Sequence, residues 1–123
     1  MSILCVDNSE TIRKVVKDCA LDLGFDFHEA SNCDKGLEVA QNIPDLDLLI
    51  LDWNLPGMKG EDLVRKIKSN EQLSNIKILV LIKFEQKDQV MNAVDAGVTN
   101  YILKPFRVND LQNKIEDTIK NAG

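Results

Sequence analysis

Short apolar runs alternate along the chain with longer segments in which apolar residues recur every three or four positions. Ile3-Leu4-Cys5-Val6 is the first run, and its length and composition predict a buried strand. Over residues 9–23, Ile12, Val15, Val16, Cys19, Ala20 and Leu23 fall at helical spacing, with Ser9 placed to cap the helix and Gly24 to stop it. Residues 25–30 form a weak second strand. Residues 34–43 form a second helix, with Leu37, Val39 and Ala40 inward and Pro44 ending it. Residues 48–51 are a third strand, and 60–69 a third helix with Leu63, Val64 and Ile67 on one face. The longest β-type run, 76–82, is broken only by Lys77. A fourth helix over 86–96 carries Val90, Ala93 and Val94 and stops at Gly97. Residues 101–103 are the fifth strand, and 108–119 the fifth helix, with Leu111, Ile115 and Ile119 in register.

Five strands alternating with five helices predict βαβ units, right-handed crossovers and a parallel sheet with helices on both faces. The expected fold is α/β, a flavodoxin-like (βα)5 doubly wound sheet with strand order 2-1-3-4-5. No linker, low-complexity stretch or second domain interrupts the pattern, so residues 1–123 read as one domain. The last helix runs almost to the terminus, which predicts no attached output domain.

Composition narrows the function classes. Hydrophobic residues make up 44% of the chain and charged residues 28%, which predicts an ordered soluble domain. The net charge is -5, from 15 basic and 20 acidic residues, and no basic run is present, which argues against nucleic-acid binding. No apolar stretch approaches membrane-spanning length, and Asp7 and Glu10 interrupt any signal-peptide core, so the expected location is the cytoplasm, away from membranes. Cys5, Cys19 and Cys33 are odd in number and widely spaced, which suits core residues in a reducing compartment rather than a disulfide framework or a zinc site.

The candidate chemistry sits at strand ends. Asp52 follows Leu48-Leu49-Ile50-Leu51 and precedes Trp53-Asn54-Leu55-Pro56-Gly57. The core does not need a carboxylate there, and in an open parallel sheet ligands collect at the carboxyl ends of the strands. Taken alone, Asp52 also reads as a turn residue. Asp7 ends strand 1 and Lys104 ends strand 5; alone, the first reads as a helix cap and the second as a surface lysine. In the order 2-1-3-4-5, strands 1 and 3 are neighbours, so Asp7 and Asp52 face one another. Two close carboxylates repel unless a cation is shared, and Mg²⁺ takes one or two carboxylates, a carbonyl and several waters. Lys104 supplies a fixed positive charge nearby. Trp53 reads as a partly exposed neighbour of this site, His28 has no assigned role, and the lysines of helices 3 to 5 read as solvated faces.

With these residues in place, the chain resembles the receiver domains of two-component response regulators over essentially its whole length, most of all single-domain receivers of the chemotaxis type. The matching stretches are Ile3-Leu4-Cys5-Val6-Asp7, Leu23-Gly24-Phe25, Glu29-Ala30, Pro44-Asp45, residues 48–60, Asp95-Ala96-Gly97 and Tyr101-Ile102-Leu103-Lys104-Pro105-Phe106. The resemblance implies that Asp52 accepts a phosphoryl group from the phosphohistidine of a histidine kinase. It implies that Asp7, Asp52 and the Asn54 backbone carbonyl help to hold Mg²⁺, that Lys104 contacts the phosphoryl oxygens, and that the Lys104-Pro105 bond is cis. A downstream protein target is expected on the face of helix 4, strand 5 and helix 5, with Val90, Tyr101, Leu103 and Phe106 as candidate contacts. The expected assembly is a monomer or weak dimer.

Two positions depart from the family pattern. The second acid after strand 1, the usual direct Mg²⁺ ligand, is Asn8 here. The Thr or Ser that ends strand 4 is Ile82, which has no donor for a phosphoryl oxygen. Lys83 follows where the family places a small residue; it either crowds the entrance or adds a second cation. These changes predict weaker Mg²⁺ binding and a weaker phosphorylation-driven movement of Tyr101. Two further readings stand beside the phosphoacceptor. One is a binding module of receiver fold that no longer depends on phosphorylation. The other is a hydrolase using Asp52, disfavoured because haloacid-dehalogenase-type phosphatases need a second Asp where this chain has Asn54; the chain is expected not to be an enzyme.

Overall fold

The computed structural model describes residues 1–120. Five strands, β1 (Ser2–Val6), β2 (Asp26–Ala30), β3 (Leu46–Asp52), β4 (Lys77–Lys83) and β5 (Asn100–Lys104), form one parallel sheet in the order β2-β1-β3-β4-β5. The helices are α1 (Glu10–Asp22), α2 (Cys33–Gln41), α3 (Gly60–Ser69), α4 (Val90–Ala96) and α5 (Val108–Lys120). The expected flavodoxin-like topology is therefore observed.

The two-residue period of a strand sorts the apolar runs onto two faces. Ile3, Cys5, Leu48, Ile50, Leu79, Leu81 and Ile102 pack under α1 and α5, against Val16, Cys19, Ala20, Leu111 and Ile115. Leu4, Val6, Leu49, Leu51, Val80 and Ile82 pack on the other side against Ala40, Leu63, Val64, Ile67 and Ala93. Buried on both faces, the central strands need continuous apolar sequence, which is why they stand out as unbroken runs. Helix α2 lies unusually close to β1: a Cβ at Gly36 would come within 2.7 Å of Val6 Cγ2.

Local chemistry sets the element ends. The Ser9 hydroxyl accepts the Ile12 N–H at 3.2 Å and caps α1. Gly97, at φ 104, takes the left-handed conformation that ends α4. Strand β3 extends past the apolar run at both ends, so that Asp52 is its last residue and pairs with Leu81. Likewise β5 runs to Lys104, opposite Lys83.

Helix 4 departs from the sequence expectation. Only Val90–Ala96 is α-helical; Phe84–Gln89 is a 3-10 segment kinked at Gln86 (φ -115, ψ 23). None of its residues is buried, and no side chain caps the start of α4, so neither packing nor capping holds residues 86–89 in an α-helix. Val94, read as part of the apolar stripe of this helix, is exposed. Trp53 also departs: it is only 6% exposed, because Gly60 lets α3 press against its ring. All three cysteines are buried free thiols. Burial raises the pKa of each, that of Cys33 to about 11, so they are protonated and poor nucleophiles at neutral pH. Among the described residues, no helix is long and apolar enough to cross a membrane.

Candidate functional site

Three strand ends bring Asp7, Asp52 and Lys104 together. In β3 and β5 the residues two positions earlier, Ile50 and Ile102, point into the core under α1 and α5, so Asp52 and Lys104 leave the sheet on that same side. The Asp7 backbone N–H bonds to the Ala30 carbonyl at 3.1 Å, which fixes the chain just beyond the end of β1. The Lys104 ammonium then donates to Asp7 Oδ2 at 2.9 Å and to Asp52 Oδ2 at 3.3 Å. The group is nearly dry: the side chains of Asp7, Asp52 and Lys104 are 0%, 7% and 15% exposed.

The remaining carboxylate oxygens are also engaged. Asp7 Oδ1 accepts the Ser9 N–H at 2.8 Å, and Asp52 Oδ1 accepts the Asn54 N–H at 3.1 Å. Asp7 thus serves the start of α1, as a helix cap would, while turning its other oxygen to Lys104. Two carboxylates share one ammonium, so a single negative charge is left uncompensated in a buried place. Such a site favours one more cation. Its donors are hard oxygens, which suit Mg²⁺ chemically. The acid set is short, however: Asn8 is exposed and neutral, and among the described residues no three His, Cys, Asp or Glu side chains converge as a metal cage.

Two residues that the sequence does not mark complete the surroundings. The Arg13 guanidinium donates through Nη1 to the Asp7 carbonyl at 2.8 Å and through Nε to Glu29 at 2.7 Å, which ties α1 and β2 to the Asp7 loop. Its sequence signal is slight, since an arginine on an amphipathic helix reads as solvated. Gln86 accepts a hydrogen bond from the Asn54 side chain, joining the loop after β3 to the 3-10 segment. No sequence signal points to it, because the kink that turns it inward is not a matter of periodicity.

The positions linked to switching lie on the opposite face of the sheet. Ile82 is fully buried among the residues under α2, α3 and α4, with Val90 and Leu103 packed against the same cluster. Tyr101 is 36% exposed, with the Lys114 ammonium of α5 5.5 Å from its ring centre. It is turned outward. Phe106 packs against the cluster under α1 and α5. Of the four expected partner contacts, then, Val90, Leu103 and Phe106 are largely packing residues and Tyr101 faces solvent. Met91 and Val94 of α4 are exposed apolar residues of the same region that the sequence does not single out as contacts. The Lys104-Pro105 bond is cis.

The family model described as "Response regulator receiver domain" matches residues 3–116. The chain is 38% identical to the chemotaxis protein CheY of Pseudomonas aeruginosa, over 94% of each chain. It is 36% identical to the chemotaxis protein CheY-3 of Vibrio cholerae, over 94% of this chain and 89% of that protein. Among solved structures, that of the chemotaxis response regulator CheY4 of Vibrio cholerae matches with a TM-score of 0.87 at 26% identity, covering 95% of this chain and 97% of the other.

Proposed function

The chain belongs to the response regulator receiver family, whose members are signalling proteins rather than enzymes, and on that premise we propose that Asp52 is its phosphoacceptor. The observation that carries this reading is the Lys104 ammonium shared between Asp7 and Asp52 in a nearly dry site. An Asp52 carboxylate oxygen attacks the phosphorus of a kinase phosphohistidine, the P–N bond breaks with its electron pair going to the imidazole, and an acyl phosphate results. Lys104 is placed to hold the phosphoryl oxygens, and Asp7 to keep Lys104 in position. When bound, Mg²⁺ supplies further neutralisation of charge on those oxygens. Asp7, Asp52 and the Asn54 carbonyl would hold it. The protein would act in the cytoplasm as a monomer or weak dimer, passing its signal to a protein target. Its likeness to chemotaxis proteins along most of their length supports the signalling role. Incubation with acetyl phosphate and Mg²⁺ followed by intact mass measurement is expected to show the gain of one phosphoryl group.

Asn8 lowers the affinity for Mg²⁺. A unit charge about 4 Å from a divalent ion is worth up to ~8 kcal/mol at an effective dielectric of about 20. Screening at the exposed Asn8 position cuts the net loss to about 1–2 kcal/mol, or roughly 5- to 30-fold in affinity. Asn8→Asp is expected to recover that factor in a Mg²⁺ titration followed by the fluorescence of Trp53, the residue after Asp52. An unchanged affinity would refute this role for Asn8.

Ile82 weakens the switch. It offers no hydroxyl to draw towards the phosphoryl group, and its side chain is fully buried on the face of the sheet that also carries Tyr101. A modification shifts an equilibrium only by the difference in its interactions with the two states. Ile82→Thr is expected to enlarge the change in Tyr101 exposure that follows phosphorylation; an unaltered response would count against the idea. The target is expected on the α4-β5-α5 face, and loss of binding on replacing Tyr101 together with Val90 would support that placement. The same buried Ile82 favours a second reading, a receiver-fold binding module that works without phosphorylation. A wild-type protein that gains no mass would favour it.

A further inference from the structure

This inference rests on Asp52 as the phosphoacceptor. Lys83 ends β4 level with Lys104 at the end of β5. Leu81 and Ile102, two positions earlier in each strand, point into the core under α1 and α5, so both lysines leave the sheet on that side. Asp52 leaves it on the same side and is level with Leu81. Adjacent strands are about 4.8 Å apart, so the two lysines stand side by side at the mouth of the site. They line one groove of about 430 Å³ with Ile12, Val15, Phe106 and Val108. Their ammonium groups differ in employment. That of Lys104 is held by both carboxylates, whereas Lys83 is exposed and has no hydrogen-bond or ion-pair partner among the described residues. Glu85 lines the same groove but is not paired with it.

We propose that Lys83 is a second phosphoryl-binding cation that takes the part of the missing hydroxyl at Ile82. Charge gives the reason. Before transfer, Asp7, Asp52 and Lys104 leave one net negative charge. Afterwards the Asp52 carboxylate has become an acyl phosphate whose phosphoryl group carries two negative charges, so the net rises to two. The Lys83 ammonium, with three donors on a flexible stem, restores the value of the unmodified site. With acetyl phosphate as donor, an Asp52 oxygen bonds to phosphorus while the bond from phosphorus to the acetate oxygen breaks. Acetate leaves with the electron pair, and Lys83 gives and takes no proton.

The test compares wild type, Lys83→Gln and Lys83→Arg at several ionic strengths. The readouts are the rate of phosphoryl uptake from acetyl phosphate and the affinity for beryllofluoride with Mg²⁺, reported by Trp53 fluorescence. Lys83→Gln is expected to lower both by about fivefold at low salt, with the gap closing as salt rises. Lys83→Arg should stay within about twofold of wild type, because it keeps the charge. Equal values for Lys83→Gln and wild type at every salt concentration overturn the proposal. So does faster uptake by Lys83→Gln, which would mean that Lys83 crowds the site, and so does an equal loss in both variants. A wild-type protein that neither gains a phosphoryl group nor binds beryllofluoride overturns the acceptor reading, and the role of Lys83 with it.

Discussion

Asp52→Asn is expected to reduce phosphoryl uptake from acetyl phosphate by ~10³-fold or more while leaving the protein folded. The chemical loss is complete, because an amide oxygen does not form the acyl phosphate. The structural loss is small. The introduced amide keeps an oxygen to accept the Asn54 N–H, a bond of 3.1 Å in the wild type. The charge count improves as well, since Lys104 is left with Asp7 alone at 2.9 Å, a neutral pair in a nearly dry place. Stability should therefore stay within about 1 kcal/mol of wild type. Intact mass after exposure to the donor reads the first effect, and urea unfolding followed by far-UV circular dichroism reads the second. Continued uptake by the variant would move the acceptor elsewhere, with Asp7 the nearest alternative. A folded variant without uptake, beside a modified wild type, excludes the phosphorylation-independent reading at the level of chemistry.

Much of this site follows from chain order. Once the apolar runs before Asp7, Asp52 and Lys104 are taken as strands of a sheet ordered 2-1-3-4-5, the two acids must be neighbours. A lysine two strands away from Asp52 has the length to reach both. Lys104 spans β4 to reach Asp52 and β3 as well to reach Asp7, which a short side chain would not manage. Helix α3 is equally plain, because its apolar positions Leu63, Val64 and Ile67 fall on one face without interruption. The segment after β4 is not. It carries Gln86 against Asn54, a contact 32 residues apart that no local pattern encodes, and its polar sequence suits a 3-10 turn as readily as an α-helix. Trp53 misleads for a related reason. A Pro-Gly turn beside it suggests exposure, and only the approach of α3 at Gly60 buries it. Asn8 and Ile82 are a third kind of case. Nothing in their own surroundings marks them as unusual, and they stand out only against the pattern of the receiver family.

The second large effect concerns the cation rather than the acceptor. Lys104→Met is expected to destabilise the protein by about 2–4 kcal/mol and to slow phosphoryl uptake by ~10²-fold or more. Methionine fills much of the volume of the lysine stem, so lost packing contributes little. What disappears is the ammonium between two carboxylates whose side chains are 0% and 7% exposed. Each then retains the backbone donors of Ser9 and Asn54 but no opposite charge, and the two repel across a medium that screens poorly. Mg²⁺ should recover part of the stability by binding the folded state, by about 2.7 kcal/mol when present at about a hundred times its dissociation constant. A double variant separates this account from a simple packing defect. If the cost is carboxylate repulsion, adding Asp52→Asn to Lys104→Met removes one of the two charges and returns roughly 1–3 kcal/mol. If the two changes add within about 0.5 kcal/mol, repulsion is not the cause, and the shared ammonium does not hold this site together.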